Sequence, residues 1–223
     1  HQAGMNIVLH YHASETEAMA LVAELNKIRA GSAVAVAGAL TNAENTLQVA
    51  SSALEAFGRI DALINNASKF YRTPFGDVTE AAWNDLIDSN IKAPFFLAQA
   101  LRDALTKTNG VIVNITDIHA ERPLRDYSVY CLSKSALVMA TKVLAKELGP
   151  HVRVNAVAPG SIMWPEGENS MSAEEKMRIV NRTALKRSGA ATDIAAAVLF
   201  FTRDANYATG QVIEVDGGRM LSD

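Results

Sequence analysis

The sequence lacks the features that mark several classes of protein. It has one cysteine, Cys131, which excludes an internal disulfide and suits a reducing compartment. The formal net charge of −3 gives no reason to expect nucleic acid or an acidic membrane surface as a partner. The longest apolar runs are too short to cross a bilayer, and residues 1–4 show no charged-then-apolar leader. We therefore expect a cytoplasmic protein whose partners are neither nucleic acids nor membranes.

Short apolar segments alternate along the chain with amphipathic helical segments. Apolar residues make up 49% of the sequence and charged residues 20%, as in soluble globular proteins with a substantial core. Such an alternation predicts an α/β fold, in which helices cover both faces of a parallel sheet. No linker, repeat or low-complexity segment divides the sequence, so we predict one doubly wound domain over residues 1–223. The predicted strands are 6–11, 32–36, 61–65, 110–115, 152–158 and 211–215, and the predicted helices are 15–30, 42–57, 80–106, 126–148, 173–182 and 193–202.

Polar residues follow several of the predicted strands. Doubly wound sheets bind their ligands outside the carboxyl ends of the strands, so these residues indicate a binding site at that edge. They are His12 and Ser14 after the first strand, Asn66 and Ser68 after the third, Asp117 after the fourth and Ser161 after the fifth.

Tyr130 and Lys134 lie four residues apart in a predicted helix, which places them on one face, one turn from each other. A nearby ammonium group favours the ionised phenol, so we expect Lys134 to lower the pKa of Tyr130. The phenol would then be a usable proton donor or acceptor near neutral pH. We interpret Cys131, inside that turn, as a small buried residue, because no histidine is obviously positioned to activate it.

Five motifs, in order along nearly the whole chain, resemble those of the short-chain dehydrogenase/reductase superfamily. They are Asn65-Asn66-Ala67-Ser68, the helix residue Asn90, the pair Tyr130 and Lys134, Pro159-Gly160-Ser161-Ile162, and Val215-Asp216-Gly217-Gly218. The resemblance implies a Rossmann-type fold and hydride transfer from a nicotinamide. It also implies that Tyr130 donates a proton, that Lys134 bonds the nicotinamide ribose, and that Asn90 holds a water in a proton relay.

The same resemblance implies which residues bind the dinucleotide. No acidic residue follows the first predicted strand, and the basic or hydroxyl groups of His12 and Ser14 suit the extra phosphate of NADP, so NADP(H) is the expected cofactor. Ala13 and Ala39 replace residues that often contact the phosphate and the adenine. No third ligand clusters with His10 and His12, so no metal site is predicted. Besides His12 and Ser14, the implied cofactor-binding residues are Leu40, Asn66, Ala67, Ser68, Tyr130, Lys134, Pro159, Gly160, Ser161 and Ile162.

Asp117 stands where most members of the superfamily carry the catalytic serine. A serine hydroxyl can donate a hydrogen bond to a substrate carbonyl, whereas an ionised carboxylate accepts hydrogen bonds and repels a developing oxyanion. Asp117 therefore suits a substrate with N–H groups or with a ring nitrogen that needs a proton. Together with His10-Tyr11-His12, Ser68-Lys69-Phe70 and residues 159–166, this substitution resembles the pteridine reductases, particularly bacterial ones.

The resemblance to pteridine reductases implies that NADPH reduces a dihydropterin or dihydrofolate, with Tyr130 and Asp117 supplying the proton. Phe70 would stack on the pterin ring, although an aromatic residue in a loop can equally pack on the surface. Trp164 would line the substrate pocket or pack beneath its own loop. Asp117 could also cap a turn or pair with a nearby arginine.

Two other functions stay open. A short-chain reductase of a 3-oxoacyl or sugar ketone is one, and Asp117 argues against it. A non-catalytic dinucleotide-sensing scaffold on the same fold is the other. A scaffold has no need of the set Asn90, Asp117, Tyr130 and Lys134.

The superfamily begins with a strand and a Gly-x-x-x-Gly-x-Gly turn whose backbone N–H groups hold the pyrophosphate. No glycines with that spacing occur in these 223 residues, and residues 1–4 resemble the end of the helix that follows the turn. We therefore expect the natural chain to carry these elements upstream. Because the missing strand is normally central, we expect the first two strands to lose their link to the rest of the sheet. Members are usually tetramers joined through their long helices, so a homotetramer is expected.

Overall fold

Strands and helices alternate along the computed structural model, which describes residues 1–164 and 171–222. The strands lie within one or two residues of their predicted bounds, because apolar runs bounded by turns are a strong local signal. They are β1 (Ile7–Tyr11), β2 (Ala33–Ala37), β3 (Ala62–Asn65), β4 (Val111–Ile115), β5 (Arg153–Pro159) and β6 (Val212–Val215). The helices are α1 (Glu15–Ile28), α2 (Ala43–Phe57), α3 (Glu80–Ile87), α4 (Ala93–Thr108), α5 (Ser128–Leu148), α6 (Ala173–Asn181) and α7 (Ala191–Leu199).

The described strands form two parallel sheets. One has the order β1-β2 and the other the order β3-β4-β5-β6. The sheets are parallel and flanked by helices, which confirms the predicted α/β fold. No strand among residues 1–164 and 171–222 pairs β1 with β3, which confirms the expectation that the first two strands would stand apart.

The four-stranded sheet buries apolar side chains on both of its faces. Successive side chains of a strand point to opposite sides. Ile112 of β4 therefore packs with Leu101 and Leu105 of α4, while Val113 packs on the other face with Phe201. Burying each of these side chains contributes roughly 1.5–3 kcal/mol to the stability of the folded protein. The two clusters therefore fix the position of β4 and of its carboxyl end.

The predicted helix 80–106 is formed by α3 and α4, which a π-helical segment, Asp88–Lys92, joins without a gap in the helical backbone. Asn90 lies in this segment, and Pro94 lies in the first turn of α4. A proline is tolerated in the first turn because the N–H groups there have no partner within the helix. The irregularity predicted near Pro94 therefore corresponds to the π-helical segment just before it, which contains Asn90.

Two predicted helix ends have different outcomes. Gly58 ends α2 in the left-handed conformation, with φ of 70°, which glycine adopts without steric cost. Ser14 does occupy the position before α1, but its side chain makes no capping hydrogen bond.

The helix α5 is long and apolar enough to cross a membrane by length and composition, contrary to the expectation from apolar runs. However, 56% of its apolar window is buried inside the protein. Leu137 and Leu144 lie among its buried residues, as in the core helix of a globular protein.

Candidate active site

The carboxyl ends of β3, β4 and β5 lie side by side, as the predicted binding edge requires. Asn65 pairs with Asn114 in register, and Ile115 pairs with Val157. The segments that follow these strands therefore meet at one edge. Those segments are Asn66, Ala67 and Ser68 after β3, Asp117 after β4, and Gly160, Ser161 and Ile162 after β5, where the first three are exposed and the last four are partly buried.

Asp117 and Tyr130 are joined directly. The Tyr130 hydroxyl donates a hydrogen bond to Asp117 Oδ2 at 2.7 Å. The other carboxylate oxygen, Oδ1, accepts the backbone N–H of His119 at 2.8 Å, because Asp117 caps the short 3₁₀ turn Ile118–Ala120. Asp117 therefore caps a turn, as one predicted alternative held, and it also accepts the hydrogen bond of the Tyr130 phenol; its help in protonating a substrate stays a prediction.

Tyr130 is a protonated phenol in this site. Its side chain lies in the first turns of α5, and the residue is only 4% exposed. Burial and the adjacent carboxylate of Asp117 raise the pKa of Tyr130 far above its ordinary value. The prediction that Lys134 lowers this pKa is wrong, because the spacing on the helix shows neither the burial nor the negative charge.

Lys134 lies one turn along α5 and is 2% exposed. Its Nζ is 5.8 Å from the centre of the Tyr130 ring and donates a hydrogen bond to the carbonyl oxygen of Ile115 at 2.9 Å. Burial lowers the pKa of Lys134 to about 8, and the charge of Asp117 raises it in part. The Ile115 bond uses one of three N–H donors, so two remain for hydroxyl groups of a ligand at this edge.

Asn90 fixes the loop after β3. Its Oδ1 accepts the backbone N–H of Lys69 at 2.8 Å, and its Nδ2 lies 3.0 Å from both the Lys69 carbonyl oxygen and Ser133 Oγ. Both N–H groups of the amide are therefore used within the protein. A water relay through Asn90 stays a prediction, and it would have to use other atoms of the residue.

Phe70 lies against the Tyr130 phenol. Its ring stacks on that of Tyr127, with centroids 4.6 Å apart, and meets Tyr130 edge-on at 4.8 Å. Tyr127, which directly precedes α5, was not singled out from the sequence. The sequence signals Tyr127 only by its position, because it is an aromatic residue three positions before Tyr130 and so lies on the same side of the helix that begins there.

The remaining predicted residues lie further out. Trp164 is partly buried, and the Lys176 Nζ of α6 stands 5.8 Å from its ring centre, so its loop packs against α6. Residues 165 and 166 of the predicted segment fall outside the described residues. His12 and Ser14 are exposed beside the two-stranded sheet, and Leu40 follows β2. No hydrogen bond between described residues joins the side chain of His12 or Ser14 to Asp117, Tyr130 or Lys134.

Two smaller predictions concern His10 and Cys131. The Nε2 atom of His10 lies 2.8 Å from the carbonyl oxygen of Gly38, so the structure gives this histidine a backbone partner. Across residues 1–164 and 171–222, no three metal-ligating side chains come together. Cys131 is buried, as interpreted, and its Sγ accepts the Leu124 N–H at 3.3 Å, while burial raises the pKa of the thiol.

Comparison with known proteins finds reductases similar to this chain over nearly all of its length. The profile of the family described as "Enoyl-(Acyl carrier protein) reductase" matches residues 1–219. Pteridine reductase 1 of Leishmania tarentolae is 34% identical, over 100% of this chain and 90% of its own length. A 3-oxoacyl-[acyl-carrier-protein] reductase of Staphylococcus epidermidis is 32% identical, over 99% of this chain and 91% of its own length.

A solved structure has a similar backbone. The crystal structure of a blue fluorescent protein from a metagenomic library, in complex with NADPH, superposes with a TM-score of 0.89. It is 31% identical, and the superposition covers 98% of this chain and 89% of that chain.

Proposed function

This chain belongs to the short-chain dehydrogenase/reductase superfamily of oxidoreductases, and on that basis we propose that it reduces a dihydropteridine with NADPH. The observation that carries the proposal is the 2.7 Å hydrogen bond from Tyr130 to Asp117. It pairs a proton donor with a carboxylate at the edge where the superfamily binds its nicotinamide. The similarity to a pteridine reductase over the whole chain supports the same substrate class.

The residues at this edge fit the nicotinamide half of NADPH. The two free N–H donors of Lys134 suit ribose hydroxyl groups, and the exposed segment 66–68 lies beside them at the end of β3. Gly160 has no side chain in the way, and a Cβ there would stand 2.7 Å from Asp216 Cα, so the loop after β5 needs glycine at this point. Bound NADPH supplies a hydride from C4 of its nicotinamide.

The proton for the reaction comes from Tyr130. Reduction of a C=N bond adds a hydride to the carbon and a proton to the nitrogen. Burial and Asp117 raise the pKa of Tyr130, so the phenol carries a proton at neutral pH and can give it to the ring nitrogen as the hydride adds to the carbon. The phenolate that results lies 5.8 Å, measured to the ring centre, from the Lys134 ammonium, which stabilises the negative charge.

Asp117 would recognise N–H groups of the substrate beside the Tyr130 hydroxyl. A pterin presents an aminopyrimidinone with adjacent N–H donors, and the carboxylate of Asp117 can accept from both. The carboxylate is held in place by the His119 N–H at 2.8 Å, so it is oriented before a substrate arrives. Asp117 is thus placed to bind the ring while Tyr130 protonates it.

The experiment is a comparison of substrates at fixed NADPH. We expect the full chain to oxidise NADPH with dihydrobiopterin and dihydrofolate and to be far slower with acetoacetyl thioesters or sugar ketones. The reverse order of rates would reject the pteridine proposal and leave the chain a short-chain reductase of another substrate.

A 3-oxoacyl thioester is the second candidate. Its support is the 32% identity to a 3-oxoacyl-[acyl-carrier-protein] reductase over 99% of this chain, and the description of the matching family. The carboxylate of Asp117 opposes this candidate, because a negative charge beside the reacting carbonyl disfavours an oxyanion.

We also propose a homotetramer. Leu132, Met139 and Val143 are exposed on one face of α5, where they are spaced by seven and four residues. Trp83 of α3 and Phe95 of α4 are partly exposed as well. A second copy packed on these helices would bury the apolar side chains. Light scattering should then give the mass of a tetramer, and Met139→Glu should reduce it, whereas Met177→Glu on α6 should not.

A further inference from the structure

We propose that Asp85, on α3, is a positioning residue that holds Phe70 towards the reacting groups and so sets the affinity for a flat ring substrate. The inference rests on the proposed pteridine reductase function and adds to it a residue outside the site itself. It is carried by the hydrogen bonds of the loop that follows β3, in which Phe70 lies between two residues that both contact Asp85.

Asp85 binds both neighbours of Phe70. Its Oδ1 accepts a hydrogen bond from Lys69 Nζ at 2.5 Å, and its Oδ2 lies 3.0 Å from the Tyr71 hydroxyl. The same hydroxyl lies 3.1 Å from the carbonyl oxygen of Ala82, one turn earlier in α3. One carboxylate therefore attaches the loop to α3 through the two side chains that flank Phe70, those of Lys69 and Tyr71.

This attachment decides where Phe70 points. Residues 69 and 71 both contact Asp85, whereas the ring of the residue between them packs against the buried cluster that contains Leu86 of α3, Tyr127 and Tyr130. There its ring meets Tyr127 at 4.6 Å and Tyr130 at 4.8 Å, measured between ring centres.

The protonation states suit this role. The hydrogen bond from Lys69 lowers the pKa of Asp85, so the carboxylate is ionised at neutral pH. Burial and the same carboxylate raise the pKa of Tyr71 to about 12, so its phenol stays a hydrogen-bond donor. Asn90 adds a second anchor, since its amide binds both the N–H and the carbonyl of the Lys69 peptide.

The two anchors have different consequences when removed. Removing the Asn90 side chain releases the backbone of Lys69. It also leaves a cavity in the interior of the protein, because the residue is only 1% exposed. Asp85 is 42% exposed at its side chain, and its ion pair with Lys69 contributes little to stability. Replacing Asp85 therefore changes the orientation of Phe70 without unfolding the protein.

The first experiment compares Asp85→Asn with Asp103→Asn in the full chain. An asparagine cannot accept hydrogen bonds from both Lys69 and Tyr71 through two oxygens. Loss of an aromatic stack corresponds to about a three- to tenfold rise in the KM for dihydrobiopterin. The kcat and the KM for NADPH should change by less than about twofold, since Asp85 contacts only the side chains of Lys69 and Tyr71 in this loop, and neither belongs to the implied cofactor-binding set. Asp103 pairs with Arg102 on the surface of α4, so its variant controls for the loss of a surface ion pair.

The second experiment asks whether Asp85 acts through Phe70. In a Phe70→Ala background, Asp85→Asn should produce no further rise in the KM for dihydrobiopterin. A rise of the same size in both backgrounds, or no rise in the wild type, would overturn the inference while leaving the pteridine reductase function intact. If the wild-type protein reduces acetoacetyl thioesters but no dihydropteridine, the proposed function and the inference both fail.

Discussion

The ammonium group of Lys134 donates a hydrogen bond to the carbonyl oxygen of Ile115, the last residue of β4, with 2.9 Å between the two atoms. This bond joins α5 to the carboxyl end of the central strand of the site. It also places a charged group where the protein excludes water, and burial lowers the pKa of Lys134 from 10.5 to about 8. Below about pH 8, the folded protein therefore contains a buried positive charge that disfavours folding.

The first prediction concerns stability and pH. Between about pH 8 and 10.5, the unfolded chain still binds a proton at Lys134, and the folded protein has released it. The contribution of this lysine to the free energy of unfolding therefore rises with pH across that window. Lys134→Met should lack this rise, so that its free energy of unfolding relative to wild type is highest below pH 8. Urea unfolding of both proteins from pH 7 to 10.5 measures the difference, and a pH-independent difference would contradict it.

The second prediction concerns the proton donor. Tyr130→Phe keeps the ring that packs against Phe70 and removes only the hydroxyl that binds Asp117. Loss of general acid catalysis lowers kcat by about 10²–10⁴-fold. Binding of NADPH, followed by the fluorescence of the nicotinamide, should change little. An unchanged kcat would show that another group protonates the substrate.

The third prediction concerns substrate choice. Asp117→Ser introduces the residue that most of the superfamily carries, which can donate to a carbonyl but cannot accept two N–H bonds from a pterin. We expect kcat/KM for dihydrobiopterin to fall about a hundredfold, and the rate with an acetoacetyl thioester to rise. His119→Ala is a matched control, since His119 binds Asp117 only through its backbone N–H. A fall of equal size with both substrates would argue against a role in substrate choice.

The fourth prediction concerns the polar chain beneath the site. Asn65 Nδ2 donates to Asn114 Oδ1 at 2.8 Å, and Asn114 Nδ2 donates to Thr141 Oγ1 at 2.9 Å. Asn114→Ala leaves the buried amide of Asn65 without this partner and should lower the free energy of unfolding by about 2 kcal/mol. Thr141→Ser keeps the hydroxyl and should cost less. Thermal unfolding of the two variants gives the comparison, and equal losses would contradict the ranking.

Much of the fold could be predicted from local patterns. The apolar run of β4 and the glycine that ends α2 are encoded within a few residues, so their positions follow from the sequence. The π-helical segment around Asn90 could not be predicted in the same way. The sequence marks Pro94 as the irregular residue, whereas the π-helical segment before it is stabilised by bonds from Asn90 to Lys69 and Ser133, on other elements.

The candidate site could likewise be predicted only where local patterns record it. Helical spacing puts Tyr130 and Lys134 on one face, and the order of strands puts Asp117 at the same edge, so their proximity follows from the sequence. Tyr127 and Asp85 were missed, because each acts through a contact with Phe70 or its neighbours that no short pattern records.

The sequence by itself determined the strands and helices, the family and the residue types at the reacting edge, because each depends on neighbours within a few positions or on motifs kept in order. Only the tertiary structure decided that a π-helical segment lies between α3 and α4, since Asn90 in that segment bonds to Lys69 and Ser133 on other elements. It also decided that the Tyr130 phenol keeps its proton, since that depends on burial and on the carboxylate of Asp117, which lies 2.7 Å from the hydroxyl. A pKa is set by the surroundings of a group in space, and those surroundings exist only once the chain has folded.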